Sequence, residues 1–276
     1  MKYLKYYISP LTIITAIYTC SIGAYYSTLF FIGFSLFIIL GDMIVKKDAS
    51  EETYSYVLLL DVPMYINLPL LMLLVLITVF ALSSDPSDLF QSICMNYLNI
   101  DLFNMRQSMN VADSISLVAL TGLFIGIMGT VPGHELVHRK KNKFDMFMGN
   151  WLLAFSWDCA FAIEHVYGHH KNVGLAHDPA TAKRGENIYL FILRAIIKEQ
   201  KDAWSIELNQ AKRREQSFIS IRNRMIIGYF RSLFITFIAY LIGGISGTLI
   251  FLLCAFIAKS LLEVINYSEH YGLIRV

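Results

Sequence analysis

The stretch ISLVALTGLFIGIMGTVPGHELVH, residues Ile115–His138, decides the fold. Ile115 to Val131 is an apolar run close to the roughly twenty residues that a membrane-spanning helix needs. The chain turns polar directly after it, and His134 and His138 stand four residues apart. On a helix that spacing puts both imidazoles on one face about a turn apart, where both can reach one metal. A span that ends in paired histidines implies an all-α, integral-membrane protein with a metal site at a membrane surface.

Other runs of the same kind lie on either side. Ile8–Tyr25 and Leu29–Val45 form a pair joined around Tyr26–Thr28, and Ile66–Leu82 is a third run. Met225–Gly243 and Thr248–Ile265 form a closing hairpin across Gly243-Gly244-Ile245-Ser246-Gly247. With Ile115–Val131 this makes a six-helix bundle. Phe147–Ile163 is apolar but interrupted by Asp158, which reads as a segment packed on the bundle or at the interface. Glu186–Gln216 is too charged to span. Its apolar residues recur near helical spacing and its basic residues thicken toward Lys212-Arg213-Arg214, as in an amphipathic helix on the bundle or the lipid surface. No internal repeat or linker divides the chain, so residues 1–276 read as one membrane-embedded domain.

Composition agrees. Of the 276 residues 56% are hydrophobic and 16% charged, against about a quarter charged in soluble domains; mean hydropathy is +0.53. A net charge of +2 argues against a nucleic-acid partner. Cys20, Cys94, Cys159 and Cys254 form no C-x-x-C pair, which excludes a thiolate zinc site or a disulfide framework. Lys2 and Lys5 precede the first run without a small-residue cleavage site, so it reads as an uncleaved helix.

Basic residues accumulate on the cytoplasmic side of membrane proteins. With the N-terminus inside, Lys46 and Lys47 fall inside, Ser83–Ala112 falls outside with Arg106 as its single basic residue, and His134–Arg224 falls inside with fifteen Lys and Arg. Every histidine is then cytoplasmic.

Six of the seven histidines lie between His134 and His177, and the seventh is His270. His134-Glu135-Leu136-Val137-His138 alone matches the zincin pattern, with Glu135 as general base. The second cluster is Glu164-His165-Val166-Tyr167-Gly168-His169-His170. His165 and His169 share a helical face, whereas His170 points about 100° from His169 on a straight helix. Either the helix breaks near Gly168 or His170 serves a second metal. At the end of the last span Lys259, Glu263, Asn266 or Tyr267, and His270 form a polar stripe, with Glu269 beside His270; ionisable residues in a span usually face an interior or a site. Six imidazoles exceed what one tetrahedral zinc uses. Two redox-active ions account for them, and iron fits best, although ligand type does not separate it from copper.

HELVHRK, EHVYGHH and NYSEHYGL, in this order and spacing, resemble the membrane alkane hydroxylase and xylene monooxygenase group of the fatty-acid desaturase superfamily. The likeness extends to Leu40-Gly41-Asp42, Asp178-Pro179-Ala180-Thr181-Ala182 and Arg184-Gly185-Glu186. The resemblance implies a six-helix bundle in a bacterial inner membrane with a cytoplasmic non-haem di-iron centre. Its ligands would be His134, His138, His165, His169, His170 and His270, supported by Glu135, Glu164, Lys259, Glu263, Asn266 and Glu269. Dioxygen would be the co-substrate, and a rubredoxin or iron–sulfur reductase the electron donor. The reaction would be hydroxylation of an unactivated C–H bond, a terminal alkyl or aromatic methyl group, in a hydrophobic substrate. A fatty-acyl desaturase or hydroxylase on the same scaffold and an inactive remnant are the alternatives. The family carries a further H-x-x-H-H motif after the third one, and this chain ends at Leu273-Ile274-Arg275-Val276. The expectation is that part of the ligand set is missing, so that the 276-residue form holds less than two irons and hydroxylates little, with His177 as a partial substitute.

Overall fold

The computed structural model describes residues 2–45 and 53–275; Lys46, Lys47 and Val276 lie outside the described residues. All regular structure among the described residues is helical. The chain divides into two compact units.

The first unit comprises the chain up to Phe124 together with Ile238–Leu253. Helices α1 (Ile8–Ser21) and α2 (Tyr26–Ile44) are joined at Gly23 and Ala24, both at positive φ (82° and 45°). The turn therefore precedes the expected Tyr26–Thr28. Glycine reaches this conformation without steric cost, and a side chain on Gly23 would collide with Ser108 and the backbone of Met105. Helix α3 (Leu58–Leu82) starts before the apolar run at Ile66 and continues through Pro63 and Pro69.

The connection to the next long helix holds α4 (Asp88–Ile93) and α5 (Leu102–Ser108), whose first turns are capped by Ser87 and Asp101. Arg106, the lone basic residue of this connection, donates to the carbonyls of Phe80 and Ser83 at the end of α3. That is the usual role of a cation at a helix C-terminus. Helix α6 (Val111–His138) is tied to α2 by Thr28 and Asp113 (2.6 Å) and to α3 by the hydroxyls of Thr78 and Thr121 (2.8 Å).

The last helix, α10 (Arg224–His270), breaks at Gly243 (φ −139°) and Gly244 (φ 59°). The hairpin apex is thus two residues rather than five, and helical structure resumes at Ile245. It sits on the end of α3, where the Ser87 N–H donates to the Ile242 carbonyl (2.8 Å) and the Ser84 N–H to Ser246 Oγ (2.9 Å).

Among the described residues four helices, α2, α3, α6 and α10, are long and apolar enough to cross a membrane. Helices suit that medium because they satisfy their backbone polar groups internally. Helix α1 has 14 residues, about 21 Å at 1.5 Å per residue, short of the roughly 30 Å hydrocarbon core.

The second unit comprises Ile125–Phe237 and the segment from Cys254 onward. It contains the end of α6, α7 (Lys143–Ala154), α8 (Phe161–Glu164), α9 (Ile188–Arg213) and both ends of α10. Gly133 on α6 and Gly149 on α7 bring the two backbones together. A Cβ on Gly149 would lie 2.9 Å from both the Gly133 carbonyl oxygen and Leu136 Cβ. Gly149→Ala is therefore expected to cost about 1–3 kcal/mol by overpacking; thermal unfolding in detergent that matches the parent would refute this.

Helix α9 is amphipathic as expected. Phe191, Ala195, Glu199, Ala203 and Glu207 recur every four residues on its buried face, with the Phe191 ring 5.3 Å from Tyr267. A second apolar stripe, Leu190, Leu193 and Ile197, stays exposed.

Candidate metal centre

Two π-helical turns shape the site. One, Ile125–Thr130, interrupts α6 just before the segment that carries His134 and His138. The other, His165–His169, follows α8. Such turns are rare and occur mostly at functional sites.

The second turn keeps the expected neighbours together, with the His165 and His169 rings stacked at 5.3 Å, and changes the position of His170. A π turn brings residues five apart together, so His165 and His170 converge, with Nε2 atoms 3.1 Å apart. His134 Nε2 lies 2.9 Å from His165 Nε2 and 2.7 Å from His138 Nε2. The ligand atoms of these four residues all lie within 4.8 Å of one another.

His169 stacks on His165 but lies outside the group of four. Its ring lies 4.8 Å from His270, and its Nδ1 meets both oxygens of Asp178 at 3.1 and 3.2 Å. Thr181 donates to Asp178 (2.5 Å) and accepts from the Gly174 N–H (3.0 Å), which braces the carboxylate. The six imidazoles therefore divide into a group of four and a pair. His177 joins neither; it lines a separate groove with Lys183 and Arg184.

These groups fit metal ions on their own geometry. A ring nitrogen has one proton or one lone pair, yet His134 Nε2 and His165 Nε2 each face two other ring nitrogens. Those contacts cannot all be hydrogen bonds. Lone pairs converging on a shared cation account for them, and imidazole binds such ions through neutral nitrogen. Burial, followed by the charges of His134, His169, His170 and His138, pushes His165 down to about 2, which leaves it neutral with its lone pair available. In the pair, a carboxylate on Nδ1 of His169 fixes the tautomer and turns Nε2 outward, as is common for metal-binding histidines. Nδ1 of His270 is buried with no hydrogen-bond partner.

The residues expected to support the histidines have distinct positions. Glu135 is turned to Arg139 (3.0 and 3.1 Å) and its side chain is 58% exposed. A general base inside the cluster would face the imidazoles instead. Glu164 is buried, and burial, with Asp178 and Asp202 nearby, pushes it up to about 8. Its Oε1 covers Gly168, where a Cβ would lie 2.6 Å away, so a side chain there would push the carboxylate aside.

The expected Lys259–Glu263 pair is present at 2.8 Å. Two further carboxylates, Asp158 (2.8 Å) and Glu199 (2.6 Å), also hold the ammonium. Asn266 donates to Glu263 (3.1 Å), while Glu269 is exposed. Sequence reasoning missed Asp178, Asp158 and Glu199 as site partners. For Asp178 the signal was a carboxylate nine residues beyond His169; the other two carried none.

Residues 114–275 match the fatty acid desaturase family, and the chain belongs to it. Its similar proteins include alkane 1-monooxygenases and a xylene/toluene monooxygenase component. It is 33% identical over 171 residues to alkane 1-monooxygenase 2 of Alcanivorax borkumensis, covering 62% of this chain and 44% of that protein. It is 36% identical over 159 residues to alkane 1-monooxygenase 1 of Pseudomonas aeruginosa, covering 56% and 40%. Similarity to the xylene/toluene monooxygenase hydroxylase component XylM of Pseudomonas putida extends over the whole chain, at 29% identity, and covers 69% of that protein. The matched stretch spans under half the length of the two alkane 1-monooxygenases. With four membrane-capable helices, the chain is an integral membrane protein.

Proposed function

We propose that this chain carries the histidine-rich core of an oxygen-dependent, non-haem di-iron monooxygenase. Its reaction would hydroxylate an unactivated C–H bond, terminal alkyl or aromatic methyl, in a hydrophobic substrate. The convergence of six imidazoles into a group of four and a pair is the observation that carries the reading. The names of the relatives support it. Bound iron would supply the electron-transfer steps of dioxygen reduction, in which RH, O2, two electrons and two protons give ROH and H2O.

The chain's own residues would do the rest. His134, His138, His165 and His170 would hold one ion, and His169 and His270 would contribute to the second, with Asp178 retaining the proton on His169 Nδ1. Phe161 stacks on His165 (4.4 Å) and packs with Val137, Leu153 and Ala162. This apolar wall would keep water from the imidazoles and receive a hydrocarbon. The four cysteines are buried and scattered along the sequence with no C-x-x-C pair, so electrons would come from a rubredoxin or an iron–sulfur reductase. The test is iron analysis together with product analysis on an alkane and a methyl-aromatic compound, with an electron donor supplied. Zinc in place of iron would refute the di-iron reading, and an alkene product would favour desaturation.

The topology proposed with it has six spans, with α10 counted as two across Gly243–Gly244 and α1 as a short one. The N-terminus and all the histidines would be cytoplasmic. Reporter fusions at Lys141 and at Asp48, which lies outside the described residues, are expected to read inside, and one at Asn99 outside. An inverted pattern would place the site away from cytoplasmic electron donors.

A further inference from the structure

Between the end of α9 and the start of α10, the loop Gln216–Asn223 has an unusual surface. Ile219 is 81% exposed and Ile221 90%, and Phe218 beside them is 43% exposed. A single exposed apolar residue needs no explanation. Two almost bare isoleucines two residues apart, just before a membrane-capable helix, do. The chain around them is mostly basic, with Lys212, Arg213 and Arg214 ahead of the loop and Arg222 and Arg224 after it, against the single acid Glu215.

Behind the isoleucines lies a polar cavity of about 220 Å³ whose lining includes Arg214, Ser217, Ser220, Arg222, Arg224 and Glu207. Glu207 does not leave it acidic, because it is bound to the Arg224 guanidinium (2.5 and 2.8 Å) and backbone N–H (2.8 Å). The first N–H groups of α10 are also taken, since Asn223 Oδ1 accepts from Met225 and Ile226. Arg214, Arg222 and Ser217 remain to line the cavity, together with Ser220, whose Oγ accepts from the Arg222 N–H (3.1 Å). It is smaller than the 300–1,000 Å³ typical of whole drug-sized ligands, but suits a compact anion.

We infer that this loop is an anionic-phospholipid site, with the headgroup phosphate held by Arg214 and Arg222 and Ile219 and Ile221 inserted among the acyl chains. Each feature answers one part of such a lipid. Arginine matches phosphate with a planar fork of donors, basic residues beside a span attract anionic headgroups, and apolar side chains next to them bury at the interface. The start of α10 brings the loop to the membrane boundary, where that lipid is present.

The test uses the full chain in neutral detergent, titrated with phosphatidylglycerol, phosphatidylcholine or inorganic phosphate, with bound species counted by native mass spectrometry. Two arginines near the surface are expected to favour phosphatidylglycerol about 30-fold. Arg214→Gln with Arg222→Gln should reduce its retention to that of phosphatidylcholine. Ile219→Ser with Ile221→Ser should weaken both lipids. If the arginine variant misfolds, Ser217→Asp with Ser220→Asp puts negative charge in the same cavity and should also abolish the preference. Equal retention of the two lipids by the parent, or phosphatidylglycerol binding unchanged in the folded variants, would overturn the proposal. So would inorganic phosphate displacing the lipid at equal concentration, which would mark a site for free anions.

Discussion

His165→Ala is expected to strip the iron held by the group of four imidazoles, whereas Asp178→Asn should weaken only the iron held by the pair. His165 is central to the first group, with its Nε2 2.9 Å from that of His134 and 3.1 Å from that of His170. Removing it takes away the one imidazole that meets both His134 and His170 and leaves three ligands where there were four. Asp178 touches only the second group, through His169 Nδ1. Replacing it with a neutral amide leaves the imidazole in place but frees its tautomer and orientation, and losses of that kind typically cost 10–100-fold in metal affinity. Two imidazoles hold an ion more loosely than four, so the second ion should also leave first on dialysis against a chelator. Metal counts per chain for the parent and the two variants provide the check. If both variants lost the same ion, or if Asp178→Asn emptied the site as fully as His165→Ala, the division into four and two would be wrong.

The helices were readable because lipid demands long apolar runs and leaves few other ways to write them. Leu29–Val45 and Ile115–Val131 mark α2 and α6 for that reason. The ends were less readable. The start of α3 before Ile66 is hidden by Asp61, Pro63 and Asn67, which a helix tolerates when Asp61 and Asn67 are buried within the fold. His134 and His138 follow the ordinary helical period, so their convergence is visible in the spacing. His170 does not follow it, because a single π turn shifts the register by one residue and brings His170 onto His165 while His169 stays stacked there. No residue type announces such a turn. Gly168 under the Glu164 carboxylate is its one local trace, and it becomes meaningful only once that carboxylate is seen above it. Partners far apart in sequence were hidden altogether. Asp158 looked like an interruption in an apolar run and Glu199 like one charge among many on an amphipathic helix, yet both meet Lys259.

That lysine carries the largest expected effect on stability. Its Nζ lies 2.6–2.8 Å from oxygens of Asp158, Glu199 and Glu263, which come from the turn before α8, from α9 and from α10 itself. All four side chains are buried. One ammonium thus serves three carboxylates, and burial pushes Asp158 up and Glu199 well above the ordinary carboxylate range even with the lysine present. Lys259→Ala would leave the acids with no cation, and removing one partner of a buried ion cluster typically costs 3–5 kcal/mol. The loss should depend on pH in a definite direction. Raised carboxyl groups stabilise the fold while protonated, below their unfolded value near pH 4. That contribution disappears as pH rises through their higher folded values. The variant should therefore melt closer to the parent at pH 5 than at pH 8. Combining Lys259→Met with Asp158→Asn, Glu199→Gln and Glu263→Gln removes every charge at once and should recover most of the stability, since a neutral, packed replacement avoids the desolvation cost. Melting curves in one detergent at both pH values separate the outcomes. A Lys259→Ala protein as stable as the parent at pH 8 would show that the three acids shed their charge at no cost and that the lysine does not hold these elements together.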